Sequence, residues 1–308
     1  MQRNTKNGKI VHEEFFLSPE ELAAYAMPFN YASEVDQISS MQGMMRFPAS
    51  VSEFKSDDGA ALDPFLMADH HRMSEPTFGP HPHAGFSAVT YMFDDAQTGF
   101  NNRDSLGDVS LIAAGDNHWT VAGSGVVHDE VPVVNGKVAH GLQIFVNLAA
   151  RNKHIAPYSM HFDGQAMARF VQASGARVKV AFGDYDDGTN KAASPQPLPT
   201  PVTLLDIALD ANQSFKYLIA TGTNAFMLVV NGGVAINAEV VNQAEAVSFG
   251  RDGGALEITA TIKSHIAVFL GQPLNEPVVR HGPFAMTNQA DTNRAIADYE
   301  AGRMGSLS

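Results

Sequence analysis

Short apolar runs, interrupted every eight to twelve residues by turn-forming residues, are the feature that most constrains the fold of this chain. Between residues 47 and 150, Gly, Asp, Asn and Pro divide the sequence into segments too short for typical helices. The same rhythm returns between residues 203 and 271, with turns at Gly232-Gly233 and Asp252-Gly253-Gly254. This spacing is typical of β-sandwiches and β-barrels. We therefore expect two consecutive all-β domains, which suggests a duplicated fold.

The length of the chain agrees with two domains. Its 308 residues, of which 44% are hydrophobic, are enough for two domains of about 150 residues each. The segment 183–201 is acidic and rich in proline, which is typical of a surface loop or linker, and we expect a boundary at about residue 175. The predicted division is a lead-in over residues 1–46, a first β domain over 47–175 and a second over 176–308.

Helices are expected only near the two ends of the chain. Ser18 precedes a proline and stands three residues before Glu21, a capping box with proline at the first helical position. Near the other end, Ile296 and Tyr299 have the i, i+3 spacing of an amphipathic helix over residues 291–300. The prediction is therefore an all-β protein with one short helix at each end.

The composition excludes several classes of function. Acidic residues outnumber basic ones by 33 to 20, a formal net charge of -13, which opposes binding to nucleic acid or to an anionic membrane. Because the chain has no cysteine, disulfides, thiolate metal sites and cysteine nucleophiles are excluded. The polar N-terminus lacks an apolar segment of signal-peptide length, and no apolar run approaches the roughly 20 residues that span a bilayer. We expect a cytoplasmic protein without direct nucleic-acid or membrane binding.

Two histidines alternate in His81-Pro82-His83, just before a strand predicted over residues 86–93. In an extended chain, residues i and i+2 project to the same face, so both imidazoles can approach one point. The pair alone is weak support for a metal site, because chance gives about half an occurrence of His-x-His among 12 histidines in 308 residues. Two solvated histidines in a surface loop are the alternative.

A second pair, His128 and Glu130, repeats the same spacing on another predicted strand. Strands predicted at 109–112 and 119–121, joined by tight turns, form a meander that can fold the two pairs together inside a small barrel. Three imidazoles and one carboxylate suit Fe(II), Mn(II), Ni(II), Cu(II) or Zn(II), and suit Ca(II) or Cu(I) poorly. Four ligands from one side would leave coordination positions open, which indicates a functional rather than a structural metal.

Other residues near these motifs carry weaker signals. Trp119 fits core packing better than pocket lining, and Gln143 is as well explained by bonding to backbone as by facing the metal. Structural roles are expected for His118 and His140. For the segment 69–71, solvated loop residues are the better interpretation, with an approach to the metal as the alternative.

Several longer stretches resemble the pirin family, a branch of the cupin superfamily. The resemblance runs from about residue 60 to 288 and covers most of the chain. It is specific because two histidine-bearing motifs and a C-terminal His-Gly-Pro-Phe occur together in the right order. The matching stretches are residues 62–66 (LDPFL), 81–86 (HPHAGF), 103–107 (RDSLG), 120–132 (TVAGSGVVHDEVP), 140–148 (HGLQIFVNL), 271–277 (GQPLNEP) and 281–284 (HGPF).

The resemblance implies a bicupin, which consists of two antiparallel β-barrels, with one metal ion in the first barrel. The metal of this family is usually iron, so Fe(II) is the expected ion. The resemblance implies that His81, His83, His128 and Glu130 are the ligands and that the second barrel binds no metal. Two positions depart from the family pattern. Where relatives usually carry Arg and Glu, this chain has Ala84 and Ser87. The departures change the charge expected near the metal.

The resemblance also implies two candidate functions. The first is a metal-dependent dioxygenase of the quercetin 2,3-dioxygenase type, which takes a small aromatic flavonol and dioxygen, with Glu130 as the catalytic proton acceptor. The second is a metal- or redox-responsive regulatory protein that acts through a protein partner. Enzymes of unrelated chemistry share the same scaffold, so the fold alone does not decide between them.

Overall fold

The structure, a computed structural model, describes residues 9–10, 49–54 and 62–307. Strands make up 50% of it and helices 6%, so the expected all-β class is confirmed. The helix predicted after Ser18 lies outside the described residues. None of the helices within the described ranges is long and apolar enough to cross a membrane.

Contacts divide the chain into two compact units. The first unit contains Met67–Gly164 and residues 276–307, and the second contains residues 62–66 and Gln165–Asn275. The domain boundary expected near residue 175 stays a prediction. What the sequence did not indicate is that the last thirty or so residues group with the first unit.

The first unit is formed by two antiparallel sheets. The six-stranded sheet contains, in spatial order, β11 (Tyr158–Phe162), β8 (Asn117–Val121), β5 (Phe86–Met92), β10 (Ala139–Asn147), β3 (Phe65–Met73) and β2 (Ala49–Phe54). The four-stranded sheet contains β4 (His81–His83), β9 (Val126–Pro132), β6 (Phe100–Asp104) and β7 (Val109–Ile112). A 3-10 turn, Ala150–Asn152, follows β10.

Apolar residues from both sheets form the core between them. Met92 and Ala139 come from the larger sheet, and Phe100 and Ile112 from the smaller one, and all four are buried in one cluster. β6 alternates buried and exposed residues, the period of two expected for a strand with one face on a core. The strands predicted at 86–93, 109–112 and 119–121 are found as β5, β7 and β8.

The second unit repeats the plan. Its larger sheet contains β1 (Lys9–Ile10), β21 (Ala246–Phe249), β18 (Asn224–Asn231), β23 (Ser264–Gly271), β16 (Val202–Leu209), β13 (Arg177–Phe182) and β12 (Arg169–Val171). Its smaller sheet contains β17 (Ser214–Ile219), β22 (Gly254–Ala260), β19 (Gly233–Ile236) and β20 (Glu239–Asn242). An extensive apolar cluster lies between its sheets.

Two sequence expectations in the second unit can be compared with the structure. The turn expected at Gly232-Gly233 separates β18 from β19, and Gly232 has φ +89°, where a Cβ would lie 2.5 Å from the Lys263 carbonyl oxygen. The linker-like segment 183–201 contains a small hairpin of β14 (Tyr185–Asp186) and β15 (Lys191–Ala192).

The chain ends with a hairpin, β24 (Val279–His281) and β25 (Phe284–Met286), and helix α1 (Gln289–Glu300). The predicted C-terminal helix is thus present, and the Asn288 side chain caps it by accepting from the backbone N–H of Asp291. Ile296 and Tyr299 pack against a buried cluster that includes Phe284. This terminal segment therefore lies on the first unit, next to the strand that carries His81 and His83.

Candidate metal centre

Two neighbouring strands of the smaller sheet carry the predicted histidines. His81 and His83 are the first and last residues of β4, which pairs antiparallel with β9 so that His81 lies opposite His128. The sequence placed His81 and His83 before a strand, whereas the structure gives them a short strand of their own. The shared register brings all three imidazoles to one face of the sheet.

The three imidazoles converge. Their ring centroids are 4.8 Å apart for His81 and His83, 4.7 Å for His81 and His128, and 4.9 Å for His83 and His128. One ring nitrogen from each lies within 4.8 Å of the others, and no other such group of three His, Asp or Glu side chains occurs within the described ranges. The arrangement could therefore hold a metal ion.

The state of the ring nitrogens fits a metal. His81 Nδ1 lies 2.9 Å from the Gly79 carbonyl oxygen and donates to it, which leaves the Nε2 lone pair for a ligand. His83 Nδ1 and both nitrogens of His128 are buried without a hydrogen-bond partner among the described residues. Burial lowers the pKa of all three side chains, so they are neutral, as metal ligation requires.

Glu130 lies on the same face of β9 as His128 but is not one of the three clustered groups. Its Oε1 accepts a hydrogen bond of 2.5 Å from the Thr90 hydroxyl on β5. Burial raises the pKa of Glu130 to about 7. Its role as the fourth ligand stays a prediction, and Thr90 is a neighbour that no sequence motif marked.

Asp129 lies between His128 and Glu130 and helps to fix β9 from the face opposite the metal centre. Alternation turns its side chain away from the histidines, and the Arg103 guanidinium on β6 donates to both of its oxygens, at 3.1 and 2.5 Å. Such a two-pronged pair between adjacent strands restricts the rotation of β9. The side chains on either side of Asp129 are therefore held toward the interior.

Trp119 belongs to the core. It is fully buried and its Nε1 donates to the Asn117 side chain at 3.0 Å. Thr90 faces the metal centre and pairs with His118 on β8, so His118 is on the same face of the sheet. Trp119 follows His118 in the strand and therefore points to the opposite face, away from the metal centre.

Gln143 on β10 is the other register partner of Thr90. Its side-chain oxygen lies 2.9 Å from the Thr90 hydroxyl, so Gln143 faces the same interior as Glu130.

The expectation of solvated loop residues at 69–71 was wrong. These residues belong to β3, and His70 and His71 are buried. His70 is within hydrogen-bonding distance of His140, 2.8 Å between Nε2 atoms, and His140 also bonds to Asp95, which supports the structural role expected for His140. His118 is buried, its Nε2 lies 3.9 Å from Asp108 Oδ2, and neither ring nitrogen has a hydrogen-bond partner among the described residues.

The two departures from the family pattern occupy buried positions. Ala84 forms a bridge to Phe284 and leaves no side chain that could reach the metal. Ser87 is buried on β5, on the opposite face from Thr90 by strand alternation. Neither residue supplies charge to the centre.

The pH dependence of metal affinity should reveal whether Glu130 is a ligand. A carboxylate that must lose its proton to bind, with a pKa of about 7, should weaken binding as pH falls below about 7. The histidines, with pKa values below 6.5, should add to this loss only at lower pH. We expect calorimetric Ni(II) titrations to give a falling affinity between pH 8 and 6 for the wild type and a flat profile for Glu130→Gln. A flat wild-type profile would exclude Glu130 as a ligand.

Comparisons with known proteins agree with this architecture. Residues 46–146 match the family described as Pirin, and residues 204–305 match the Pirin C-terminal cupin domain. Pirin from Mus musculus is 32% identical over 250 residues, covering 79% of this chain and 83% of its own, and Pirin-like protein 2 from Arabidopsis thaliana is 32% identical over 254 residues, covering 79% and 76%.

Among solved structures, a quercetin 2,3-dioxygenase from Acinetobacter baumannii superimposes with a TM-score of 0.76 at 28% identity, covering 84% of this chain and 93% of its own. The two units are accordingly two cupin domains, as expected. From the matches over both domains and the identity to full-length relatives, the chain is a member of the pirin family.

Proposed function

We propose that this protein is a metal-dependent dioxygenase that cleaves a flavonol such as quercetin. The observation that carries the proposal is the convergence of three neutral imidazoles, two buried and that of His81 partly buried, beside a carboxylate that is held by a hydroxyl group. The likeness to the quercetin 2,3-dioxygenase of Acinetobacter baumannii supports the choice of substrate. The cytoplasmic location expected from the sequence is part of the same proposal.

Fe(II) is the metal we favour, and Mn, Ni, Cu and Zn fit the same donors. His81, His83 and His128 would hold the ion, with Glu130 as the predicted fourth ligand. A bound ion would supply Lewis acidity toward a flavonol enolate and the capacity to react with dioxygen. All three imidazoles come from adjacent strands of one sheet, so we expect substrate to approach the ion from another side.

Glu130 is proposed to accept the proton that the flavonol hydroxyl loses. The Thr90 hydroxyl holds Oε1, so the carboxylate has a fixed orientation on the same strand face as His128. A base held in this way can take a proton from a substrate hydroxyl that is within hydrogen-bonding reach. Phe86 and Phe145, whose ring centroids are each 5.1 Å from that of His83, provide an apolar border that suits an aromatic substrate.

Glu130→Gln is expected to lower the rate of flavonol-dependent dioxygen uptake by roughly a hundredfold, the usual scale for loss of a general base. Gln is nearly isosteric and its amide oxygen can still accept from Thr90, so charge changes more than shape. Glu257→Gln, at an exposed ion pair in the second unit, is the matched control and should keep the wild-type rate. Both variants are compared at full metal loading, and wild-type uptake by metal-replete Glu130→Gln would contradict the role of base.

The alternative is a metal-responsive protein that binds another protein. One observation favours it: Leu106, Val109 and Leu111 are 49%, 77% and 53% exposed, and the last two lie on β7, an edge strand of the sheet that carries His128. Exposed apolar side chains along a sheet edge are typical of protein contacts. If the metal-replete wild type shows no flavonol-dependent dioxygen uptake, the regulatory function becomes the better proposal.

A further inference from the structure

Lys153 is a fully buried lysine in the first unit, and its ammonium group is saturated by neutral acceptors. Nζ donates to the Gly85 carbonyl oxygen at 2.8 Å, to Asn147 Oδ1 at 2.5 Å and to the Ala285 carbonyl oxygen at 2.6 Å. Three donors thus meet three acceptors. Burial lowers the pKa of Lys153 to about 8, so the side chain is still mostly charged at neutral pH. A buried cation with three fixed dipoles is a strong local anchor.

The three acceptors surround the backbone that follows His83. Gly85 is two residues beyond this histidine, and between them Ala84 forms a bridge to Phe284 on β25. The Ala84 N–H donates to the Pro283 carbonyl oxygen at 3.3 Å, and the Ala285 N–H donates to the Ala84 carbonyl oxygen at 3.0 Å. Lys153 therefore joins the corner after His83 to the C-terminal hairpin and to the end of β10.

Backbone hydrogen bonds also hold this corner: besides the two bonds to the C-terminal hairpin, the Gly85 N–H donates to the Gly123 carbonyl oxygen at 2.8 Å. β4 is only three residues long, and within the described part of the chain it lies at the edge of its sheet and pairs with β9 alone. A short edge strand opens more easily than a central one. His81 has a hydrogen bond to Gly79 that fixes its ring, whereas His83 Nδ1 has no partner among the described residues. The position of His83 therefore depends on ring packing, on a hydrogen bond to the Pro283 backbone in the C-terminal hairpin, and on the backbone that Lys153 holds.

We propose that Lys153 is a positioning residue of the metal centre, which fixes the His83 arm by holding the Gly85 and Ala285 carbonyl groups. The proposal rests on the proposed metal site but not on the identity of the substrate. Lysine suits the task because its tetrahedral ammonium group directs donors to three separate points, whereas the guanidinium of arginine is planar. Methionine would fill a similar volume but leave both carbonyl groups without their donor.

The test compares two buried lysines. Lys153→Met removes the anchor, and Lys179→Met removes a buried lysine from β13 of the second unit, remote in sequence from the histidines. Ni(II) affinity is measured by calorimetric titration, and the electron paramagnetic resonance spectrum of the Cu(II)-loaded protein reports ligand geometry. We expect Lys153→Met to bind Ni(II) at least tenfold more weakly, the lower end of the range for groups that orient metal ligands, and to change the Cu(II) spectrum. Lys179→Met should match the wild type in both.

A purely structural lysine would give a different result. Circular dichroism and thermal unfolding of the metal-free proteins first establish that each variant is folded at the titration temperature. Wild-type affinity and spectrum in folded Lys153→Met would overturn the proposal. If Lys153→Met does not fold, Asn147→Ala is tested instead, because it removes one acceptor of Lys153 and keeps the lysine. We expect it to weaken Ni(II) binding by less than Lys153→Met would, and wild-type affinity and spectrum in this variant would overturn the proposal. A wild type that binds no metal would overturn the metal centre, and the proposal with it.

Discussion

Replacing His128 with alanine is expected to abolish metal binding at ordinary metal concentrations. His128 is the only imidazole of the cluster that comes from β9, and its loss leaves two imidazoles on one short strand besides the predicted ligand Glu130. Groups that only orient metal ligands contribute about 10- to 100-fold to affinity, so loss of a ligand should exceed about a hundredfold. Elemental analysis and Ni(II) titration measure the loss directly.

The control for this prediction is His265→Ala in the second unit. His265 Nε2 lies 2.5 Å from Asp206 Oδ1, and neither residue belongs to the three-histidine group. This variant and the wild type should both contain about one equivalent of metal per chain, as the one-site interpretation of the sequence requires. Retention of metal by His128→Ala, or a wild-type content near two equivalents, would show that the site is wrongly identified.

The second large effect is expected on stability, from Trp119→Ala. Trp119 is fully buried on the side of β8 opposite the metal centre, and substitution would remove a large apolar surface and its hydrogen bond to Asn117. Replacing a buried tryptophan by alanine typically lowers the free energy of unfolding by about 3–5 kcal/mol. Urea denaturation, followed by circular dichroism, measures this free energy, and we expect the unfolding transition of the first unit to move to lower urea concentration.

Tyr158→Ala provides the comparison on the neighbouring strand. Tyr158 is 39% exposed on β11, so its loss should lower the free energy of unfolding much less than that of Trp119. A decrease below about 1 kcal/mol for Trp119→Ala would mean that the tryptophan is not a core residue. Metal affinity of the folded Trp119→Ala protein should be close to that of the wild type, because the side chain points away from the histidines.

Local patterns in the sequence were sufficient for the fold class and for most elements. Strand alternation and turn residues depend on neighbours a few positions apart, so β5, β7, β8 and helix α1 were predicted near their observed bounds. The histidine pair of β4 and the pair on β9 were also recognisable, because i, i+2 spacing on a strand directs side chains to one face. The same local signals misplaced His70 and His71, since nothing within a few residues indicates that β3 is covered on both faces.

The sequence by itself thus determined an all-β chain with a pirin-type arrangement of motifs, and it indicated His81, His83 and His128, the group that could hold a metal. Only the tertiary structure decided that His81 lies opposite His128, that Glu130 bonds to Thr90, and that Lys153 joins Gly85 to Ala285. The physical reason is that these contacts connect residues far apart in the chain. Thr90 and Glu130 are 40 positions apart, and Lys153 and Ala285 are 132 positions apart. Strand pairing and packing fix such contacts, and no local period encodes them.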